Sequence, residues 1–318
     1  MRGIFLDRRS LDRDDLDLSG FETSTDTWNN YEVTGEKDIT SRLRDANIVV
    51  TNKVVLDKTA LASTHGLKLI CIAATGTNNV DLDAAREAGI AVCNVVRYAT
   101  PSVVQHVFAL ILSLTRRLTE HQQAISRGDW QRSEQFCLLD YPMRELNGLT
   151  LGIIGYGELG KAVADAAKCF GLNVIIAQRP GGKGTETDRV ELDTLLSDAD
   201  IISLHCPLAD NTRNLIGARE LGLMKKDALL INAARGGIVD EAALAQAITE
   251  NRIGGAGIDV LAEEPPVHGS PLLDIHSPRL LLTPHVAWAS RSARQRLIDE
   301  VIKNIHSFLN GDRRNRIV

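Results

Sequence analysis

Apolar and polar positions alternate in blocks along this chain. In the first third, GIFLD (3–7), ANIVVTN (46–52), LKLICIAAT (67–75) and IAVCNV (90–95) are short apolar runs. Acid- and lysine-bearing stretches of helix-compatible length separate them. Runs this short and this apolar predict buried strands, and their alternation with helical segments predicts a parallel sheet with crossover helices. A second series follows: LTLGIIG (149–155), NVIIAQ (173–178), ADIISLH (199–205), ALLINAA (228–234), GAGIDVL (255–261) and RLLLTPH (279–285). Six such runs in succession predict a second, doubly wound sheet of the kind that binds dinucleotides.

Two longer helices flank the second series. Thr100 is a candidate N-cap with Pro101 at the first helical position. The run VVQHVFALILSL (103–114) after them is apolar almost all round, so this helix is expected to be buried. Near the end of the chain, Leu297, Val301, Ile305 and Phe308 fall on one helical face, and Asn310-Gly311 is a stop signal. That last helix is expected to return to the first domain. The architecture is therefore α/β, one doubly wound domain inserted into another with a cleft between them. Residues 1–99 and 286–318 form the substrate domain, and 100–285 the dinucleotide domain.

Composition narrows the picture. A chain of 318 residues suggests two domains. Its net charge of −5 gives no electrostatic reason for a nucleic-acid partner. Arg313, Arg314 and Arg316 read as a solvated tail. MRGIFLDRRS holds three apolar residues in sequence (Ile4, Phe5, Leu6), too few for a signal peptide. The most apolar window, VFALILSLT (107–115), is far short of the roughly 20 residues of a membrane span. Cys71, Cys93, Cys137, Cys169 and Cys206 are scattered without a CxxC pair, which argues for reduced thiols in a cytoplasmic protein and against a zinc framework. Cys71 and Cys93 sit in apolar runs and are expected to be buried and inert.

Candidate chemistry begins at LGIIGYGELG (151–160). Gly155, Gly157 and Gly160 have the G-x-G-x-x-G spacing after an apolar strand and before an amphipathic helix. Gly155 permits the tight turn and Gly157 a close approach to pyrophosphate. Gly160 allows close helix–strand packing, and the helix N-terminus offers free N–H groups to the phosphates. The following strand ends at position 178, where an acid would hold the adenosine ribose. Here the residues are Gln178 and Arg179, with Lys183 on a glycine-rich turn. An uncharged residue followed by phosphate-binding cations predicts a site that accepts NADP(H) and prefers it to NAD(H).

Three further fragments carry reactive side chains at strand ends: Arg235 in INAARGG, Glu263 and Glu264 in DVLAEEPP, and His285 in LTPHVAW. Ligands of open α/β sheets bind beyond the carboxyl ends of the strands, so these residues are expected to converge. The ordered set GYGELG, HCPL, NAARGG, DVLAEEPP and TPH, with ATGTNNVD (74–81) in the first domain, strongly resembles the D-isomer-specific 2-hydroxyacid dehydrogenases over nearly the whole chain. The resemblance implies a Rossmann cofactor domain inserted into a flavodoxin-like substrate domain. It implies that Arg235 binds substrate, His285 is the acid/base and Glu264 its carboxylate partner, with Glu263 a bystander. Backbone amides at Thr75, Gly76 and Thr77 would hold the substrate carboxylate. The cofactor-binding set grows to include Glu158, Leu159, Cys206, Pro207, Thr212, Ala233, Ala234 and Asp259. The chemistry suits these residue types: reduction of a 2-keto acid needs a proton at the carbonyl oxygen, and a histidine titrates near neutrality. A neighbouring carboxylate favours the imidazolium and fixes its orientation.

Trp288, and the run NVVRYATPSVVQHVF (94–108), resemble the glycerate dehydrogenase and hydroxypyruvate reductase branch, with Gln105 where many relatives carry Glu. Trp288 is thus a candidate substrate contact, and hydroxypyruvate or glyoxylate the expected substrate. Relatives of this fold also act as dinucleotide-sensing corepressors that bind peptides; the compact acidic chain speaks against that alternative. Family members are generally homodimers through the cofactor domain, and 121–143, with Trp130 and Phe136, is the candidate arm.

Overall fold

In the computed structural model, which describes residues 1–179 and 188–318, the apolar runs form two parallel sheets in two compact units. Unit 1 comprises Met1–Ala99 and Trp288–Val318. Its elements begin β1 (Arg2–Phe5), α1 (Ser19–Glu22), β2 (Thr27–Asn30), α2 (Glu36–Leu43), β3 (Ile48–Thr51), α3 (Lys58–Ala62), β4 (Leu69–Ile72), α4 (Leu82–Glu87) and β5 (Ala91–Cys93). The strands lie in the order β2-β1-β3-β4-β5, all parallel.

Alternation along each strand sorts side chains between two cores. Ile4, Val49, Ile70 and Val92 face one side, with Leu43, Ala60 and Ala85 of the crossover helices. Phe5, Ile48, Val50, Leu69 and Cys71 face the other. The strand with no apolar run is β2: its sequence is TWNN, and three of its four residues are exposed. It is an edge strand held by pairing with β1 and by Trp28 stacked on Phe21, with centroids 4.7 Å apart.

Unit 2 comprises Thr100–Ala287. It contains α5 (Thr100–Thr115), α6 (Leu118–Ser126), β6 (Thr150–Ile154), α7 (Glu158–Cys169), β7 (Asn173–Ile176), α8 (Leu192–Asp198), β8 (Ile201–Leu204), α9 (Ala218–Leu223), β9 (Leu229–Asn232), α10 (Glu241–Thr249), β10 (Gly255–Ile258) and β11 (Leu280–Leu282). The order is β11-β10-β9-β8-β6-β7, again parallel, and Ala177 adds a single bridge to Val190 beyond β7. On one face, α8, α9 and α10 cover a core that includes Ile154, Ile202, Leu204, Leu230 and Ile258. On the other, α5 and α7 pack on the sheet and on each other. The helix α5 begins at Thr100 itself, whose hydroxyl donates to the Glu158 carboxylate of α7.

Unit 2 ends two residues later than the boundary expected after His285. The reason is Asp259, whose carboxylate accepts the backbone N–H groups of Val286 and Ala287 and holds both to β10.

The last helix, α11 (Arg291–Leu309), belongs to unit 1. Ser290 caps it by accepting from the Ala293 N–H, and it buries Leu297, Val301 and Ile305 against the Phe5 and Cys71 face of the sheet. Gly311, with φ of 83°, ends it. The arginines of the basic tail are exposed, as expected, but its backbone is docked. Ile317 donates to the Val92 carbonyl at 2.8 Å, Arg316 bridges Cys93 in antiparallel sense, and Arg314 pairs with Glu300. The outer edge of β5 would otherwise present unpaired backbone groups, and the tail covers them.

Candidate active site

The glycine turn after β6 has the form that its sequence requires. Gly155 has a φ of 96°, and a Cβ there would lie 2.5 Å from the carbonyl carbon of His205 and collide with the Cys206 backbone. Only glycine adopts that conformation without strain, so β6 can turn directly beside the end of β8. A Cβ on Gly160 would strike the Gly155 carbonyl, which fixes how closely α7 packs. Gly157 is different: among the described residues, nothing lies within 4 Å of a Cβ there. Packing among the described residues does not need a glycine at 157, the N-cap of α7. A helix N-terminus offers free N–H groups to an anion.

The rim continues at β8. Cys206 is buried, and the Thr212 hydroxyl accepts from the Ala209 N–H and donates to the Pro207 carbonyl, both at 2.7 Å. Thr212 therefore shapes the Pro207 loop from within. His205 on the same rim has its Nε2 2.9 Å from the Ser203 hydroxyl, and its buried Nδ1 meets no hydrogen-bond partner among the described residues. Burial pushes this ring down to about 4, so it stays neutral near pH 7 and is a poor proton donor there. Gln178 is half-buried and its N–H donates to the Val190 carbonyl; Arg179 is exposed; Lys183 lies outside the described residues.

His285 is held in another way. It lies three residues past β11, with a φ of 53°, in the left-handed region that costs a non-glycine residue about 1–2 kcal/mol. Three successive N–H groups keep it there, all donating to Asp259. His285 reaches its carbonyl at 2.8 Å, and Val286 and Ala287 reach its two carboxylate oxygens, each at 2.9 Å. Asp259 itself is 1% exposed. The His285 ring then places Nδ1 2.6 Å from Oε2 of Glu264, whose Oε1 accepts the Leu261 N–H at 2.9 Å. A carboxylate has only lone pairs to offer, so Nδ1 carries the proton of this bond and Nε2 is the position left for a substrate. Glu263 turns instead to His268, 2.7 Å away.

Arg235 follows β9, and its guanidinium donates to the Ala234 carbonyl at 2.7 Å. Asn232 braces the turn: its amide oxygen accepts the Ala234 N–H and its amide nitrogen donates to the Arg235 carbonyl. A Cβ on Gly236 would lie 2.6 Å from the Ala262 nitrogen and collide with the Leu261 carbonyl. The Arg235 turn is thus packed directly against the loop that carries Glu264.

The family profile described as D-isomer specific 2-hydroxyacid dehydrogenase, NAD binding domain, matches residues 108–287. The chain is 44% identical over 315 residues to glycerate dehydrogenase of Methylorubrum extorquens, covering 98% of this chain and 97% of that one. The chain belongs to the D-isomer specific 2-hydroxyacid dehydrogenase family. Hydroxypyruvate reductase of Blautia hydrogenotrophica is 34% identical, with 98% of each chain covered. Among solved structures, an acyclic imino acid reductase in complex with NADPH and D-arginine superposes with a TM-score of 0.85 at 27% identity over the full length of both chains. The expected fold, family and branch agree with these relatives.

In this 2-hydroxyacid dehydrogenase the remaining expected site residues lie in unit 1. The Thr75 hydroxyl donates to the Val95 carbonyl at 2.8 Å, and Asn94 donates to the Thr75 carbonyl, so the Thr75–Gly76–Thr77 loop is tied to the segment after β5. Asn79 anchors its far side by donating to the carbonyls of Asn52 and Val54. Trp288 is partly buried beside Tyr98, ring centroids 6.4 Å apart and edge to face. Sequence reasoning missed the residues that hold others in place: Asn232, Thr283, His106 and Asp7. Ala233 and Ala234 lie on the braced turn.

Proposed function

We propose that this dehydrogenase reduces a small 2-keto acid, hydroxypyruvate or glyoxylate, to D-glycerate or glycolate with His285 as the acid/base. The observation that carries this reading is the 2.6 Å pair between His285 Nδ1 and Glu264. It fixes the ring so that Nε2 gives its proton to the carbonyl oxygen as the carbonyl carbon is reduced, and takes it back in the reverse direction. Glu264 holds the ring in that orientation through the transfer. Arg235 offers a guanidinium fork to the substrate carboxylate or carbonyl, and the backbone of Thr75, Gly76 and Thr77 supplies further N–H donors. Trp288 borders the substrate. The nicotinamide dinucleotide, when bound, supplies the hydride. The turn at Gly155, Gly157 and Gly160 and the first turn of α7 would hold its pyrophosphate. Cys206, Pro207, Thr212, Ala233, Ala234 and Asp259 would line the rest of its path, and Gln178 and Arg179 its ribose end. With a neutral residue and a cation there, NADPH is preferred to NADH.

Initial rates with hydroxypyruvate and glyoxylate, each with NADPH and NADH, test the assignment. Turnover with either keto acid supports it, and a faster rate with NADPH supports the cofactor preference. Dinucleotide binding without turnover of 2-keto acids would favour a sensor instead. Gln178→Glu should weaken NADPH more than NADH; equal effects would remove position 178 from the selectivity. Arg235→Lys should lower kcat/KM roughly tenfold to a hundredfold, as loss of charged hydrogen bonds does.

The protein is further inferred to be a homodimer through unit 2. Residues 121–126 continue α6, and beyond them Phe136 and Leu139 are 89% and 75% exposed, an apolar surface that a second copy would cover. Sedimentation should show a dimer that Phe136→Ser with Leu139→Ser converts to a monomer.

A further inference from the structure

Beneath the Asp259 clamp lies a second layer that the reaction does not use directly. Thr283, on the approach to His285, donates its hydroxyl proton to Asp259 Oδ1 at 2.6 Å. A hydroxyl has one proton, and a carboxylate cannot return it. The contact of 2.9 Å between Thr283 Oγ1 and Nε2 of His106 must therefore run the other way, with His106 donating. His106 stands on α5, which packs on β9 and β10, and its Nε2 is also 3.4 Å from Asp259 Oδ1. Oδ1 thus receives the Thr283 hydroxyl and the Val286 N–H, with His106 close behind. The chain from α5 to the left-handed residue is continuous: ring to hydroxyl, hydroxyl to carboxylate, carboxylate to the N–H groups that flank His285. Such a network fixes one geometry when every member is satisfied.

We propose that His106 and Thr283 are positioning residues, which aim the His285 ring by holding the Asp259 carboxylate against the loop. The proposal rests on His285 being the acid/base. Neither residue needs to touch substrate. Removing the hydroxyl deprives Asp259 of one donor and His106 of its acceptor, and the left-handed conformation at His285 loses part of what holds it. A small misplacement of a catalytic group lowers turnover far more than it lowers binding.

The test compares Thr283→Val with Thr283→Ser, and His106→Leu with His106→Gln, the second of each pair retaining the hydrogen-bonding group. Thr283→Val and His106→Leu should lower kcat roughly tenfold to a hundredfold. The KM for hydroxypyruvate and the Kd for NADPH should stay within about twofold, and Ser and Gln should restore most of the loss. Independently of turnover, the 15N signals of the His285 ring should show one Nδ1-hydrogen-bonded state in the wild type and shift or broaden in Thr283→Val. Unchanged kcat with an unchanged ring signal overturns the proposal. So does a parallel fall of kcat, NADPH affinity and Tm, which would mark a merely structural role. If the wild type turns over no 2-keto acid, the proposed function falls, and the ring signal alone decides whether the network positions His285.

Discussion

In unit 1 the strand order reverses between β1 and β3, and in unit 2 between β6 and β8; each reversal opens a crevice at the carboxyl ends of the strands. The two crevices have the same topological origin and opposite contents. In unit 1 the carboxylate of Asp7, next after β1 and Leu6, fills the crevice. Its two oxygens accept the N–H groups of Asn52 and Lys53 at 2.9 and 2.7 Å, the contacts a bound anion would otherwise make. Burial raises the pKa of this carboxyl, and the N–H groups only partly offset that. In unit 2 the corresponding position is a glycine turn, and no described residue lies within 4 Å of a Cβ on Gly157, at the start of a twelve-residue helix. Topology provides a place for a ligand in both units. A few residues decide that one is occupied by the protein itself, while the other is the proposed seat of the dinucleotide.

The comparison can be broken at its strongest point first. Gly155→Ala forces a side chain into the left-handed region and against the Cys206 backbone, and should destabilise the fold by about 3 kcal/mol or more. Denaturant unfolding without a shift in midpoint would contradict the account of the turn. Gly157→Ala separates folding from binding. The apo protein should lose no more than about 1 kcal/mol, since the new Cβ meets nothing, yet NADPH affinity should fall roughly a hundredfold. Fluorescence titration with unchanged Kd would move the phosphate site elsewhere. Asp7→Ala makes the reverse change: it leaves two backbone donors without their acceptor and should cost about 1–3 kcal/mol while dinucleotide affinity holds. A lower affinity for NADPH would show that the two crevices are not independent.

The smallest effect concerns a part-buried pair of unit 1. The Arg294 guanidinium holds the carboxyl of Asp15 down at about 2, with both carboxylate oxygens engaged. A depressed carboxyl contributes stability above its unfolded value near 4, lost as pH falls toward 2. Asp15→Asn should therefore flatten the dependence of Tm on pH between about 4 and 2 and leave it unchanged near neutrality. An identical pH profile in the variant would show that the pair adds nothing.

Ten of the eleven strands among the described residues were legible because buried parallel strands are apolar runs, and the glycine turn was legible because its spacing follows from backbone sterics. What escaped has a common cause. The edge strand β2 is polar, so no run marks it. The C-terminal tail looks like a charged end, and its docking depends on the open edge of β5, which sequence does not display. Arg235, Glu264 and His285 stood out through motifs. His106 and Thr283, which back the clamp on His285, did not, because they meet across 177 positions; in unit 1, Asp7 likewise reaches Lys53 across 46. The left-handed backbone at His285 has no local signal either, since it is held by three bonds from residues 285–287 to one aspartate just past β10.

His285, held by Glu264, is the proposed proton carrier, and the glycine turn of unit 2 is the proposed anchor of the dinucleotide's pyrophosphate. The most direct test is His285→Asn, with kcat measured for hydroxypyruvate and Kd for NADPH on the same preparation. A fall in kcat of about 10²–10⁴-fold with unchanged NADPH affinity is the expected result. Turnover within a few-fold of the wild type would contradict it and remove His285 from the chemistry.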